Sequence, residues 1–176
     1  MTVHLTLAGA IHVVLALLCS AVGLIQFLRP KRGAGHRARG YFYVYAMLVS
    51  DGTTLLIHRF TGHFNVFHVA AIVNFGCVVL AVVPLLRTPR PSNWRSIHYH
   101  FIAWSYVSLM SAAAINTALR LAPVTTREQA GLVAPIVSIV SIATMAIAHL
   151  VIRRHRPPAD VTTPTTGLVK RSGAPS

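Results

Sequence analysis

Long apolar runs alternate with short basic clusters along most of the chain. Five runs reach the length of about 20 helical residues that a hydrocarbon layer requires. They extend from about Leu5 to Leu28, Gly40 to His58, Val66 to Leu86, Ile97 to Leu121 and Leu132 to Ile152. The second is interrupted by Asp51, Gly52, Thr53 and Thr54, but the apolar residues before and after restore its length. Each run predicts an α-helix, because backbone groups in lipid must be satisfied within the segment and a barrel would show alternating segments of about 10 residues. The pattern therefore predicts an all-α, polytopic membrane bundle of five transmembrane helices, with helices one to four forming a four-helix core. Residues 1–156 make up the membrane domain. Residues 157–176, rich in Pro, Thr, Ser and Gly and lacking apolar periodicity, predict a disordered cytoplasmic tail.

Composition agrees with this reading. Of the 176 residues 54% are hydrophobic and 11% charged, about half the charged share of a soluble protein. The formal net charge of +13 would by itself suggest nucleic-acid binding. The cations nevertheless sit in clusters between apolar runs, which is the placement of membrane-flanking loops, and no nucleic-acid partner is expected. Arg29, Lys31, Arg32, Arg37 and Arg39 occupy the first connection, Arg87, Arg90 and Arg95 the third, and Arg153, Arg154, Arg156, Lys170 and Arg171 the tail. The other side holds only Arg59, Arg120 and Arg127, which predicts an outward N-terminus and a cytoplasmic C-terminus in a bacterial plasma membrane. The first run has no basic residues before it, so it reads as a retained helix and not as a secretory signal. Cys19 and Cys77 both lie inside apolar runs and predict neither a disulfide framework nor a Cys-based zinc site.

Polar residues inside these runs fall at helical spacing. His12, Ala16, Cys19, Gly23 and Gln26 form one stripe, and His36, Gly40, Tyr43, Met47, Asp51, Thr54 and His58 another. The fourth run gives His98, Ile102, Ser105, Leu109, Ala112, Asn116 and Arg120; the fifth adds Ser138, Ser141, Met145 and His149 more weakly. Such stripes should face the bundle interior, and buried ionisable groups in membranes are candidates for function. His98 and His100 lie about 200° apart around a helix, so one of the two points straight inward.

Depth divides these groups into two layers. His12, Asp51, His68 and Asn116 lie toward the outer face, with Asn74 a little deeper. Gln26, His36 and His98 or His100 lie toward the cytoplasmic face, Asp51 being about 22 Å from His36 along one helix. Each layer offers a histidine pair, His12 with His68 and His36 with His98 or His100. That is the arrangement for two b-type haems held by bis-histidine ligation, with nearby Arg and Lys on the propionates and electrons passing to a quinone or redox partner. Two other readings stay open: a proton-coupled transporter or permeation module using His12, Asp51 and Asn116, and an accessory subunit whose polar stripes only specify packing. Histidines at helix ends also suit the interface, and the tyrosines and tryptophans near the basic clusters read first as an aromatic belt. With three acidic residues, a carboxylate-rich metal centre or paired-carboxylate hydrolase is excluded, and no nucleotide-binding or hydrolase motif occurs.

The first hairpin, from His12 through Arg29 and His36 to Tyr43 and Val44, is echoed by the second, from His68 through Arg87 and His98 to Tyr106 and Val107. The echo suggests a parallel duplication, or the ease with which hydrophobic helices imitate one another. The segment G-H-R-A-R-G-Y-F-Y-V-Y-A-M-L (Gly35 to Leu48), followed by H-Y-H-F-I-A-W-S-Y-V-S-L-M-S-A-A-A (His98 to Ala114) and Arg120, resembles the prokaryotic membrane family known as domain of unknown function 2306. The likeness covers about His12 to Leu121 and departs from the pattern at Phe101 to Ala103, where a methionine is expected. It implies a multi-pass membrane protein without an assigned activity. A looser likeness to di-haem b-type cytochromes rests on histidine placement alone.

Overall fold

The computed structural model describes residues 7–56, 66–121 and 142–154, with the side chains of 66 and 119–121 not included. All regular structure among them is helical: α1 (Leu7–Leu28), α2 (Gly33–Thr54), α3 (Val66–Leu86), α4 (Trp94–Leu121) and a further stretch, α5, over 142–154. The third run matches α3 end to end. The second expected helix is corrected at both ends. It begins at Gly33, seven residues before Gly40, where Gly33 turns the chain at φ 82°. It stops at Thr54, where the hydroxyls of Thr53 and Thr54 both donate to the Ser50 carbonyl, at 2.8 and 3.1 Å, and compete with the backbone bonds of the last turn. His58, Ser138, Ser141 and the tail lie outside the described residues.

Among the described residues, three helices are long and apolar enough to cross a membrane: Leu7–Leu28, Phe67–Leu86 and Trp94–Ala118. The helix α2 is equally long but is not among them, because it opens on Gly, Arg and His and closes on Asp51, Gly52, Thr53 and Thr54. Burial compensates for its polarity. It contributes Tyr43, Ala46, Met47, Ser50 and Asp51 to the interior, whereas α1 contributes Cys19 and Gly23 and exposes Leu7, Val14, Leu17 and Leu28. A polar helix shielded by apolar neighbours is the arrangement lipid demands.

The helices pack in chain order: α1 on α2, α2 on α3, α3 on α4, and α4 back on α1. The centre is Cys19, Tyr43, Ala46, Met47, Val78 and Leu109. Two tyrosines fasten opposite elements. Tyr43 Oη on α2 is 3.0 Å from Ser105 Oγ on α4, and Tyr106 Oη on α4 donates to the Ser20 carbonyl on α1 at 3.2 Å. Both rings meet at Gly23: a Cβ placed there would run into the Tyr106 ring and stand 3.3 Å from Tyr43 Cε2. Gly23 is thus the close-packing point that its stripe predicted.

Gly23→Ala should destabilise the protein in detergent by about 1–3 kcal/mol, the cost of overpacking a filled site. Gly76→Ala, where an added Cβ meets nothing within 4 Å, should be neutral or slightly stabilising. Parallel denaturant titrations of the two variants in micelles would measure both.

Candidate functional site: two polar layers around an apolar centre

Near the ends of α1 and α2 away from the basic connections, the stripes meet as polar clusters. The His12 ring on α1 reaches across to α2. Its Nδ1 is 3.1 Å from the Ser50 carbonyl, 3.2 Å from Ser50 Oγ and 3.1 Å from Thr54 Oγ1. A carbonyl only accepts, so Nδ1 carries the proton in the Ser50 carbonyl bond. One residue on, the Asp51 carboxylate turns to α3, where Asn74 Nδ2 donates to Oδ2 at 2.9 Å and to Oδ1 at 3.2 Å. Asp51 is 7% exposed and Asn74 3%. The second amide atom, Asn74 Oδ1, is buried with no hydrogen-bond partner among the described residues. Asp51 is the sole acidic side chain in the described region, and the charge or polarity nearest it comes from Asn74 and from the thiols of Cys19 and Cys77.

The partners differ from those suggested by spacing. His12 was grouped with Asp51 and Asn116, but it bonds Ser50 and Thr54. Asn116 does not join the cluster: its Nδ2 donates to the Ala112 carbonyl of its own helix at 2.9 Å. Asn74 takes that place. The signal was in the sequence, since Asn74 is an amide inside the most apolar run, but depth alone does not say which helix faces it. Ser50 was overlooked because a serine inside an apolar run usually bonds its own preceding turn. The side chain of Arg120 lies outside the described residues.

The second layer lies toward the basic ends. Gln26 on α1 donates through Nε2 to the His36 carbonyl at 2.8 Å and accepts from Arg39 Nε at 2.9 Å, which clamps the start of α2. His98 on α4 donates from Nδ1 to the Ala81 carbonyl of α3 at 3.0 Å. That carbonyl lies one turn before Pro84, which has no N–H to offer the neighbouring Leu80 carbonyl. His100 Nδ1 instead donates to the Ser96 carbonyl of its own helix at 2.8 Å, and its ring stands edge-on to Tyr99. His98 is therefore the one of the pair that points into the bundle. His36 lies within electrostatic reach of His98, Arg39 and Lys31, and its Nδ1 is buried without a hydrogen-bond partner among the described residues. His149 on α5 places its ring 6.0 Å from that of Trp104.

Between the layers lies a dry centre in which Met47, Cys19 and Val78 are at most 2% exposed. Cys19 Sγ makes a long 3.9 Å contact to the Tyr43 carbonyl, and no polar side chain joins the layers across Met47 among the described residues.

The histidine layers can be tested against a haem. In both layers the helices that carry the pair, α1 with α3 and α2 with α4, make no close backbone approach, as room for an iron between them requires. His12 is level with Ser50 to Thr54, and so with Asn74, whereas His68 lies six residues beyond Asn74 on α3, about 9 Å further toward the helix end. That axial offset is unfavourable for ligating one iron, although His68 is fully buried at 1% exposed. In the second layer the rings suit ligation better. His98 is oriented through Nδ1 by a carbonyl, as metal-binding histidines usually are, with Nε2 left for another partner. No group of three or more His, Cys, Asp or Glu is placed to hold a metal ion among the described residues.

The model of the family described as "Predicted membrane protein (DUF2306)" matches residues 9–152. The chain belongs to that family. No curated protein and no solved structure matches it.

The Asp51–Asn74 pair generates a stability prediction. Asn74→Leu leaves a buried carboxylate without its donor and should cost more than the about 1–3 kcal/mol typical of a neutral buried group. Asp51→Leu combined with Asn74→Leu should recover most of that loss, because replacing both partners by apolar groups of similar shape is nearly neutral. A double-mutant cycle of unfolding in micelles, with a coupling free energy clearly different from zero, is the expected result.

Proposed function

We propose that the protein is a proton-coupled membrane permeation module whose proton-carrying group is Asp51. The observation that carries this reading is the buried Asp51–Asn74 pair with its unused amide oxygen. An ionised carboxylate needs a donor, and Asn74 Nδ2 supplies one. A protonated carboxyl needs an acceptor, and rotation of the same amide by half a turn would present Oδ1. One side chain can therefore serve both protonation states, as a proton-binding site in hydrocarbon requires. Asp51 lies three residues, about 5 Å, from the end of α2, which favours exchange with that side of the membrane. His36 and His98 supply titratable rings at the opposite end, and the layer of Met47, Cys19 and Val78 separates the two as a gate would.

This reading takes α1 to α4 as the core bundle, supported by the return contact of α4 on α1, and α5 as the end of a fifth span. It places the basic end in the cytoplasm of a bacterial cell and the Asp51 end outside, supported by the cation bias of the connections. In proteoliposomes carrying a pH gradient and an internal pH-sensitive dye, the protein should dissipate the gradient and Asp51→Asn should abolish the effect while the helical circular dichroism is retained. Dissipation by Asp51→Asn at the rate of the unmodified protein would refute the assignment.

A second reading, b-type haem at the basic end, is favoured by the His98 Nδ1 bond to Ala81 and by the unbonded Nδ1 of the facing His36. His36 and His98 would hold the iron, Arg39 and Lys31 would pair with the propionates, and the group would supply one-electron transfer. Protein produced with added haem would then show a reduced-minus-oxidised absorption spectrum that His98→Leu removes. A colourless, iron-free preparation rules this reading out.

A further inference from the structure

A second site lies outside the polar layers, on the flank where α5 meets α1 and α4. An apolar cavity of about 370 Å³ there is lined by Phe27, Ala103, Tyr106, Ile147, Ala148 and Val151, among others. Its size is that of a small-ligand site. The Tyr106 hydroxyl is already committed to the Ser20 carbonyl, so the ring offers the cavity hydrocarbon and no new polar group.

The mouth is cationic. Lys31 Nζ lies 5.7 Å from the centre of the Phe27 ring, which lines the cavity, and 4.8 Å from that of Tyr99. Two aromatic faces thus hold the ammonium beside the opening. Arg153 and Arg154 follow directly on Ile152, another lining residue, and both are exposed. No acidic side chain lies at this end of the helices among the described residues, so none of them supplies a counter-charge. A hydrocarbon slot capped by unneutralised cations is complementary to a molecule with an apolar tail and an anionic head.

We propose that this groove binds an anionic phospholipid, with one acyl chain against Phe27, Tyr106 and Ile147 and the phosphate on Lys31 and the arginines Arg153 and Arg154. The bound lipid fills the gap between α5 and the other helices and fixes the Lys31 ammonium. The site is independent of the proton reading, because it shares no residue with Asp51 or Asn74.

Quenching of tryptophan fluorescence by brominated lipid tests it. The chain has two tryptophans, Trp94 and Trp104, and Trp104 stands at the flank of the groove against His149. In the Trp94→Phe variant Trp104 is the sole reporter. Bilayers of phosphatidylcholine are doped with either dibrominated phosphatidylglycerol or dibrominated phosphatidylcholine at equal mole fraction. The anionic quencher should act at severalfold lower mole fraction than the zwitterionic one. Lys31→Gln should reduce that preference by about fivefold, the effect of one cation near a lipid surface. Ala148→Phe, which fills the cavity, should weaken quenching by the anionic lipid at low mole fraction. Arg87→Gln, an exposed cation at the end of α3 and away from the groove, should leave the preference intact. Equal quenching by the two lipids at every mole fraction overturns the site. So does a preference reduced as much by Arg87→Gln as by Lys31→Gln, which would mean diffuse attraction to the surface.

Discussion

A buried carboxylate in an apolar bundle must be given its hydrogen bonds by the protein, and the rest of the architecture follows from meeting that requirement for Asp51. Water is not at hand in the hydrocarbon layer, so the donor has to come from a neighbouring helix, and Asn74 on α3 provides it at 2.9 Å. This bond ties α2 to α3. The same helix α2 is tied to α1 by His12 on Ser50 and Thr54, and to α4 by Tyr43 on Ser105. The least apolar helix thereby becomes the one that α1, α3 and α4 all bond, so that its polar groups are satisfied by its neighbours.

The polar bonds are segregated by depth. His12, Ser50, Asp51, Thr54 and Asn74 form one group; Gln26, His36, Arg39 and His98 form the other. Met47, Cys19 and Val78 fill the space between, and Tyr43 with Ser105 lies at its lower edge. Such a division gives each end its own titratable groups while the centre excludes water. Gly23 allows the close approach that shuts this centre, because the rings of Tyr43 and Tyr106 occupy the volume a side chain would take. The two tyrosines are the matching positions of the two hairpins, and both bond across helices, although to different partners.

Much of this was legible in the sequence. Apolar runs located α1, α3 and α4 to within three residues of their ends among the described residues, because hydrocarbon thickness leaves little latitude. Helical spacing put Cys19, Gly23, Tyr43, Met47, Asp51 and Ser105 on interior faces, where burial confirms them. Pairing across helices was less legible. Spacing gives the face of each residue on its own helix but neither the rotation nor the axial offset between helices. His12 was therefore matched with His68 and grouped with Asp51 and Asn116, whereas the actual offsets bring Ser50 to His12 and Asn74 to Asp51. The choice between His98 and His100 was undecidable for the same reason, and the Ala81 carbonyl on α3 that accepts from His98 settles it.

The central claim is that Asp51 takes up and releases a proton inside the bundle while Asn74 serves both states. Infrared difference spectroscopy of the reconstituted protein across a pH titration tests it most directly. The account predicts a carboxyl C=O stretching band that titrates, is absent in Asp51→Asn, shifts in Asn74→Leu, and is accompanied by a change in the Asn74 amide signal. A spectrum in which no titrating band is removed by Asp51→Asn would contradict it.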